Sequence, residues 1–250
     1  MARAVLPDSL YYELNLIFFA FASALTWARG GGEPRRSGGG DRRTPKTELQ
    51  KLERRQRILE EARRLIATAG FSGSRMKDIA ALAGMSEGAI YRYFPTAIAL
   101  FVEVFRTVAS RELEVARQAT LLNGPASLRL TAALRLHFER ALRRPRLAYA
   151  MLAEPLAPEL EAVRLLFRKS FHDLFAGVMR EAILSGEYAA FDTRTAAACM
   201  TGALDEALIW PLAFLDETEQ NPTERIDFVV EFCLNAIAPW RRETARAARR

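Results

Sequence analysis

Twenty residues, Arg75 to Phe94 (RMKDIAALAGMSEGAIYRYF), constrain this chain more than any other stretch. Ile79 and Ala80 stand about one helical turn before Gly84, Met85 follows it, and Ile90 lies six residues beyond. Gly84 has no Cβ and can take the positive φ that a tight interhelical turn demands. Ala80 is small where a following helix must cross closely, and Ile79, Met85 and Ile90 supply a small shared core. Two helices joined this way have the spacing of a helix-turn-helix, a motif whose second helix enters the major groove of DNA.

With those positions turned inward, Ser86, Glu87, Gly88, Ala89, Tyr91, Arg92 and Tyr93 are left to face outward or bridge to a groove. Gly88 and Ala89 would let backbone approach a partner closely, and a helix N-terminus favours phosphate. Tyr91 and Tyr93 suit phosphates or thymine methyls, and Arg92 suits guanine or a phosphate. Taken piecemeal, the same residues also fit an ordinary helical hairpin and an aromatic packing cluster.

Helical signals continue on both sides. Thr44 can cap a helix with Pro45 at its first position, and Leu52, Leu59, Ala62, Leu65, Ile66 and Ala69 recur at helical spacing. Gly70 supplies a left-handed stop, and Phe71 can pack back on the last turn. A short helix is expected from about Lys77 to Ala83, a third from its cap Ser86 to Tyr93, ended by Pro95, and a fourth capped by Thr96. Further amphipathic helices are expected near 126–143, 146–153 and 158–185, then from Asp192 or Thr193 to about 214. A last one is expected from a cap at Asn221, with Pro222 and Glu224 close to a capping box. No segment sustains period-two alternation, so the expected fold is all-α.

Charge is unevenly placed. The chain carries +6 in total, yet residues 51–100 hold nine Lys/Arg against five Asp/Glu, and residues 101–240 hold fifteen against nineteen. A basic block ahead of a mildly acidic body points to a polyanion partner for one part only. Half the residues are apolar, and no stretch is long enough for a confident membrane span. Cys199 and Cys233 form no CxxC, which excludes a disulfide framework and a zinc knuckle and suits two buried thiols in a reducing cytoplasm.

Residues 1–44 differ from the rest. Leu14 to Trp27 is an apolar run, short for a membrane span, with Ala22-Ser23-Ala24 resembling a cleavage site. Arg3 is the only basic residue ahead of it, and Asp8 and Glu13 precede it, against a signal peptide. Gly30–Gly32 and Gly38–Gly40 among arginines read as a linker. Three readings stay open: an appendage or start-site artefact outside the fold, a membrane or partner anchor, and a secretory signal.

From about Arg54 to Phe105 the sequence closely resembles the DNA-binding domain of TetR-type (TetR/AcrR) repressors. The resemblance is carried by Ile58-Leu59-Glu60-Glu61-Ala62, Gly70-Phe71, Asp78-Ile79-Ala80, Ala83-Gly84-Met85-Ser86, Gly88, Ile90-Tyr91-Arg92-Tyr93-Phe94-Pro95 and Leu100-Phe101. It implies a helix-turn-helix domain over 45–114 (motif 75–94) and a helical ligand-binding and dimerisation half over 115–240. Beside these stand the atypical extension 1–44 and the basic tail 241–250. One departure is plain. The family usually places Ser/Thr-Lys-Glu after Tyr-Phe-Pro, and its lysine contacts a phosphate; here Thr96-Ala97-Ile98 keeps the cap and lacks the lysine. Arg75 and Lys77 are the expected compensating contacts. With Ser86, Glu87, Gly88, Ala89, Tyr91, Arg92, Tyr93 and Thr96 they complete the DNA-binding set.

The resemblance further implies a homodimer through the last two long helices and an unidentified small-molecule inducer. Small residues on the 193–214 helix let a neighbour approach closely. Ala196, Cys199, Gly202 and Ala203 are the candidates there, with Val229, Cys233 and Ile237 of the last helix. The alternative is that these simply pack within one subunit. His137, Tyr149, Met151, Phe167, Phe171, His172, Phe175 and Trp210 are candidates to line an apolar pocket.

The function expected is a sequence-specific, ligand-released repressor in the cytoplasm, at the nucleoid, with double-stranded DNA as partner and neither cofactor nor metal. A helical partner-binding or membrane-tethered module using the apolar N-terminal segment is the alternative. An enzyme is not expected: no Ser/His/Asp elbow, HExxH, P-loop or dinucleotide fingerprint is present, and carboxylate pairs such as Asp205-Glu206 read as solvated.

Overall fold

The computed structural model describes residues 45–213 and 222–238. The readings of residues 1–44, of the Asn221 cap and of the tail from Arg241 fall outside the described residues. Helical periodicity becomes nine helices among them: α1 (Pro45–Ala69), α2 (Met76–Ala83), α3 (Glu87–Tyr91), α4 (Ala97–Ala119), α5 (Ala126–Arg143), α6 (Pro145–Leu152), α7 (Pro158–Leu184), α8 (Thr193–Ala213) and α9 (Pro222–Ile237). The fold is all-α.

Local chemistry sets the ends. Gly70 and Gly84 take φ of 72° and 66°, the left-handed stops that end α1 and α2. After Gly84, the Met85 N–H donates to the Ala80 carbonyl at 2.9 Å, a six-to-one bond that closes α2 while the chain turns. Ser86 caps α3, its hydroxyl accepting from the Ala89 N–H, and Thr96 caps α4 by accepting from the Ala99 N–H at 3.0 Å. Asp192, not Thr193, caps α8: its carboxylate accepts from the Arg194 and Thr195 N–H groups.

The third helix is shorter than expected, ending at Tyr91 rather than Tyr93. Pro95 disfavours the helical region for Phe94. The chain tightens early, and the Tyr93 N–H bonds back to Ile90 at 2.8 Å.

Two buried clusters organise the packing. One gathers Ile58, Leu59, Ala62 and Ile66 of α1, Phe71, Met76, Ile79 and Ala80, then Ile90, Phe94, Leu100, Phe101 and Phe105. It also draws in Leu147 and Ala150 of α6 and Leu160 and Val163 of α7, so residues far along the chain close the core beneath the helix-turn-helix. The other is built by α5, α7, α8 and α9 around Phe138, Phe175, Met179 and Leu208. Helix α4 packs against α5 and α7 and contributes to both clusters.

Gly84 and Gly88 offer a paired test. A Cβ at either would meet no atom within 4 Å, but only Gly84 has positive φ. Gly84→Ala should lower stability in urea denaturation by about 1–2 kcal/mol through the left-handed penalty. Gly88→Ala should leave stability unchanged or raise it by up to about 1 kcal/mol. Equal losses at both positions would contradict this account of the turn.

Candidate functional site

The helix-turn-helix presents its expected residues outward. Arg75, Lys77, Ser86, Glu87, Gly88, Tyr91, Arg92 and Thr96 are exposed, and Ala89 and Tyr93 are half-buried. Ile79, Ala80 and Ile90 are buried beneath them, and Met85 is partly buried. All ten candidates fall within α2, α3, their flanking turns and the start of α4. Arg75 is held by Asp78 in an exposed i,i+3 pair at 2.8 Å, a weak link that a phosphate can displace. Nothing in the fold occupies the space beside Gly88, so no internal contact demands a glycine there. Ala97 and Ile98, standing where the family has Lys-Glu, are half-buried against the core. Sequence reasoning missed Arg55, which pairs with Glu103 and lies over the Phe94 ring at 4.8 Å, tying α1 to α4 and the end of the motif.

Behind this surface, α4 to α8 enclose a cavity of about 120 Å³. Of the expected lining residues, His137, Met151, Phe167, Phe171 and Phe175 are there. Tyr149, His172 and Trp210 are not. On α7, Phe167, Phe171 and Phe175 follow i,i+4 spacing along one face, and His172 lies a step around the helix, half-buried. Burial first, then the Arg168 charge, hold its pKa below the ordinary imidazole value. Tyr149 packs against the C-terminal core, and Trp210 is 63% exposed.

The cavity also has charged walls, which the sequence reading missed. Arg140, Arg144, Arg164 and Arg168 line it, against Glu112 and Asp205. Asp205 is buried rather than solvated. It accepts from Arg168 at 3.0 Å, and His137 Nε2 stands 3.9 Å away, its ring edge-on to Phe171. The arginines recur as i,i+4 pairs (140/144 and 164/168), a signal present in the sequence but indistinguishable there from a solvated face.

One buried carboxylate joins the cavity wall to the helix-turn-helix. Glu154, just past α6 and 7% exposed, accepts from the Phe71 N–H at 2.9 Å and the Ser72 N–H at 2.8 Å. Both amides belong to the turn between α1 and α2. A Cβ on Gly70 would fall 2.7 Å from the Glu154 carboxylate, so the turn needs glycine both for its φ and for this approach. Arg164 donates to the Glu154 backbone carbonyl at 2.6 Å, and its Nε is buried with no hydrogen-bond partner. Phe71 touches the Phe101 and Phe105 rings, and Phe105 itself lines the cavity.

Three dimer candidates lie inside the protomer. Val229, Cys233 and Ile237 are 7%, 1% and 3% exposed, packed in the C-terminal core, and burial pushes the Cys233 thiol up to about 11. Ala196 and Ala203 are half-buried, while Cys199 and Gly202 are exposed. The expectation of two buried thiols therefore holds for Cys233 alone. The outward face of α9 carries Phe228 and Phe232, 70% and 57% exposed, and Phe232 shares a groove with Cys199. Among the described residues, no group of three His, Cys, Asp or Glu could hold a metal, and no helix is long and apolar enough to cross a membrane.

Comparison with known proteins gives a consistent picture. Residues 58–104 match the model for bacterial regulatory proteins of the tetR family. The fatty acid metabolism regulator protein of Bacillus subtilis is 25% identical over 162 residues, covering 64% of this chain and 84% of that protein. The HTH-type transcriptional regulator AcrR of Shigella flexneri is 38% identical over 85 residues, covering 33% of this chain and 40% of AcrR. Among solved structures, the transcriptional regulator FadR from Bacillus subtilis in complex with stearoyl-CoA superposes with a TM-score of 0.64. Its identity is 23%, over 73% of this chain and 98% of that one. The fatty acid degradation regulator FadR from Bacillus halodurans gives 0.62 at 21% identity, over 72% and 97%.

Removing the Glu154 carboxylate tests the link between cavity and turn. Glu154→Ala strands two backbone donors and should cost about 1–3 kcal/mol in urea denaturation. Glu161→Ala, which removes only a rim partner of Arg164, should cost less than about 1 kcal/mol. Equal, small losses would mean that Glu154 does not hold the turn.

Proposed function

This chain belongs to the TetR family of bacterial transcriptional regulators, and from that premise we propose that it is a homodimeric repressor that binds a near-palindromic operator and leaves it when a small molecule fills the cavity. The observation that carries the reading is the open outer face of α3. Gly88, Tyr91 and Arg92 project outward over buried Ile90, with nothing of the fold covering Gly88. Ser86, Glu87, Ala89 and Tyr93 complete the face that enters the major groove. Arg75, Lys77 and Thr96 hold phosphates at its edges, and Arg75 and Lys77 substitute for the lysine absent after Thr96.

The chain divides into a DNA-binding domain over 45–114 and a ligand-binding and dimerisation half over 115–240. The two buried clusters support that division, with α6 and the start of α7 reaching across it. Two protomers pair through α8 and α9, using the faces that carry Cys199, Gly202, Phe228 and Phe232, while Val229, Cys233 and Ile237 stiffen α9 from inside. Exposed phenylalanines beside small residues are suited to close helix packing. The dimer sets its two α3 helices about one DNA turn apart, roughly 34–36 Å.

The ligand is an amphipathic anion of the fatty acyl thioester class. Phenylalanines and leucines line the cavity and arginines stand at its walls. The relatives named as fatty acid regulators, one of them solved with stearoyl-CoA, favour the same class. Occupancy presses on Phe105 and Arg164, which reach the α1–α2 turn through Phe71 and Glu154, and shifts the population toward a spacing that no longer fits the operator. The protein works in the cytoplasm at the nucleoid. The regulator relatives favour binding over catalysis, and the alternative of a tethered module rests on residues 14–27, outside the described residues.

Footprinting tests this reading. Two protected half-sites, one turn apart, are expected on the operator. Phe232→Asp should yield monomers in sedimentation and weaken operator binding about 100-fold, because the second half-site contact is lost. Val229→Ala should instead lower stability and leave the dimer intact. Lys77→Ala should weaken binding alike on all sequences and flatten the salt slope by about one unit. A single protected half-site, or a Phe232→Asp dimer with full affinity, would sink the proposal.

A further inference from the structure

Of the two carboxylates on the cavity wall, Asp205 is the buried one, and only one of its oxygens is engaged. Oδ2 accepts from Arg168 Nε and Nη2 at 3.1 and 3.0 Å. Oδ1 accepts a hydrogen bond from no described residue: His137 Nε2 stands 3.9 Å away, beyond hydrogen-bond reach. Oδ1 is not sealed inside the protein either, so it opens onto the cavity. Thr201 stands one turn before Asp205 on the same face of α8, and both residues are 5% exposed and line the cavity. The Thr201 hydroxyl donates to the Ala197 carbonyl at 3.0 Å, which commits its hydrogen and leaves a lone pair to accept. His137 approaches Asp205 from α5 with its ring edge-on to Phe171, and its imidazole makes no hydrogen bond to any described residue.

Two buried acceptors beside phenylalanines call for a group that brings a hydrogen. A thioester carbonyl has none to give, and a carboxylate would meet the Asp205 charge. An ammonium suits no better, because Arg168 already balances Asp205 and Arg140, Arg144 and Arg164 line the same space. A neutral hydroxyl suits. Its hydrogen goes to Oδ1, and its oxygen can accept from His137 Nε2 when that nitrogen carries a hydrogen. The 3.9 Å gap between Oδ1 and Nε2 is closed by an oxygen at the apex of a triangle, about 2.8 Å from each. Phe171, Phe175 and Leu204 are there to pack the carbon chain that bears it.

We propose that Asp205, Thr201 and His137 form a subsite that reads a neutral hydroxyl on the ligand, so that the cavity takes a hydroxylated chain in preference to a saturated one. The proposal rests on the acyl reading of the cavity and makes it more specific. A saturated chain in the same place would strip water from Oδ1 and offer no hydrogen in return. A site built to hydrogen-bond a hydroxyl rejects the analogue that lacks it, because the buried polar groups are then left unpaired. Asp205 sets the preference, and Thr201 and His137 orient the hydroxyl.

Calorimetric titration of the full chain with two sets of probes tests this. Octanol and its methyl ether differ in the donated hydrogen and carry no acyl group. Stearate and a panel of monohydroxystearates, differing in hydroxyl position, join the hydroxyl to an acyl chain. Wild type should bind octanol about 10- to 100-fold more tightly than the ether, the contribution of a hydrogen bond to a charged acceptor. At least one hydroxystearate should exceed stearate by a similar factor. Asp205→Asn should lose the preference, because its carbonyl oxygen stays with Arg168 and its amide hydrogens meet the cavity. Thr201→Val keeps the shape and removes a bond within α8, so it should fold normally by circular dichroism and shrink the preference about threefold or more, the effect of one weak hydrogen bond. Octanol binding no tighter than its ether overturns the subsite, as does a preference that both variants keep in full. Stearate binding as tightly as every hydroxystearate overturns the proposal and leaves the acyl reading standing. An octanol preference lost in Asp205→Asn, with no binding of any stearate, supports the subsite and removes the acyl reading.

Discussion

Much of this structure depends on a single buried carboxylate. Glu154 accepts the Phe71 and Ser72 N–H groups, and so holds the turn from which α2 is launched. A buried carboxylate is costly unless its oxygens are satisfied, and two backbone donors at 2.8–2.9 Å satisfy it here. The arrangement forces Gly70 upon the chain, since any Cβ there would press on the carboxylate. It also joins the helix-turn-helix to the cavity wall, because Arg164, which lines the cavity, donates to the Glu154 carbonyl.

The aromatic contacts run in parallel. Phe71 stacks on Phe105 at 6.0 Å, Phe105 meets Phe167 at 6.5 Å, and both Phe105 and Phe167 line the cavity. A molecule filling this space would therefore touch the core on which α3 sits. Close packing gives such a core low compressibility, so strain at one side is transmitted to the other. Outward, the same core gives α3 its rigidity: Ile90 is fully buried while its neighbours Tyr91 and Arg92 are exposed.

What the sequence made legible was local. Gly84, Ser86 and Thr96 act on residues within a turn of themselves, so their roles as stop and caps could be read from spacing and are present in the structure. The early end of α3 was harder, because Pro95 acts through its neighbour and tightens the preceding turn. Contacts distant in sequence were not legible. Glu154 lies 83 residues from Phe71, and nothing near it announces a cap for another helix. Asp205 and Glu206 look alike in sequence, yet Asp205 is buried against Arg168 and Glu206 is exposed. On α9 apolar residues surround most of the helix, so Val229 and Phe228 are equally plausible outward residues until α5 and α8 are placed. The cavity arginines were hidden for the same reason: an i,i+4 pair looks the same facing water or a ligand.

The central claim is that the exposed face of α3 reads a specific DNA sequence. Fluorescence anisotropy of the full chain against DNA from upstream of its own gene tests this most directly, at two salt concentrations and beside a scrambled duplex. The account predicts binding to the upstream DNA at least about 10³-fold tighter than to the scrambled duplex, with the difference lost in Tyr91→Ala and Arg92→Ala. Equal, weak and steeply salt-dependent binding to both duplexes would contradict it, leaving only the attraction of a basic surface for any polyanion.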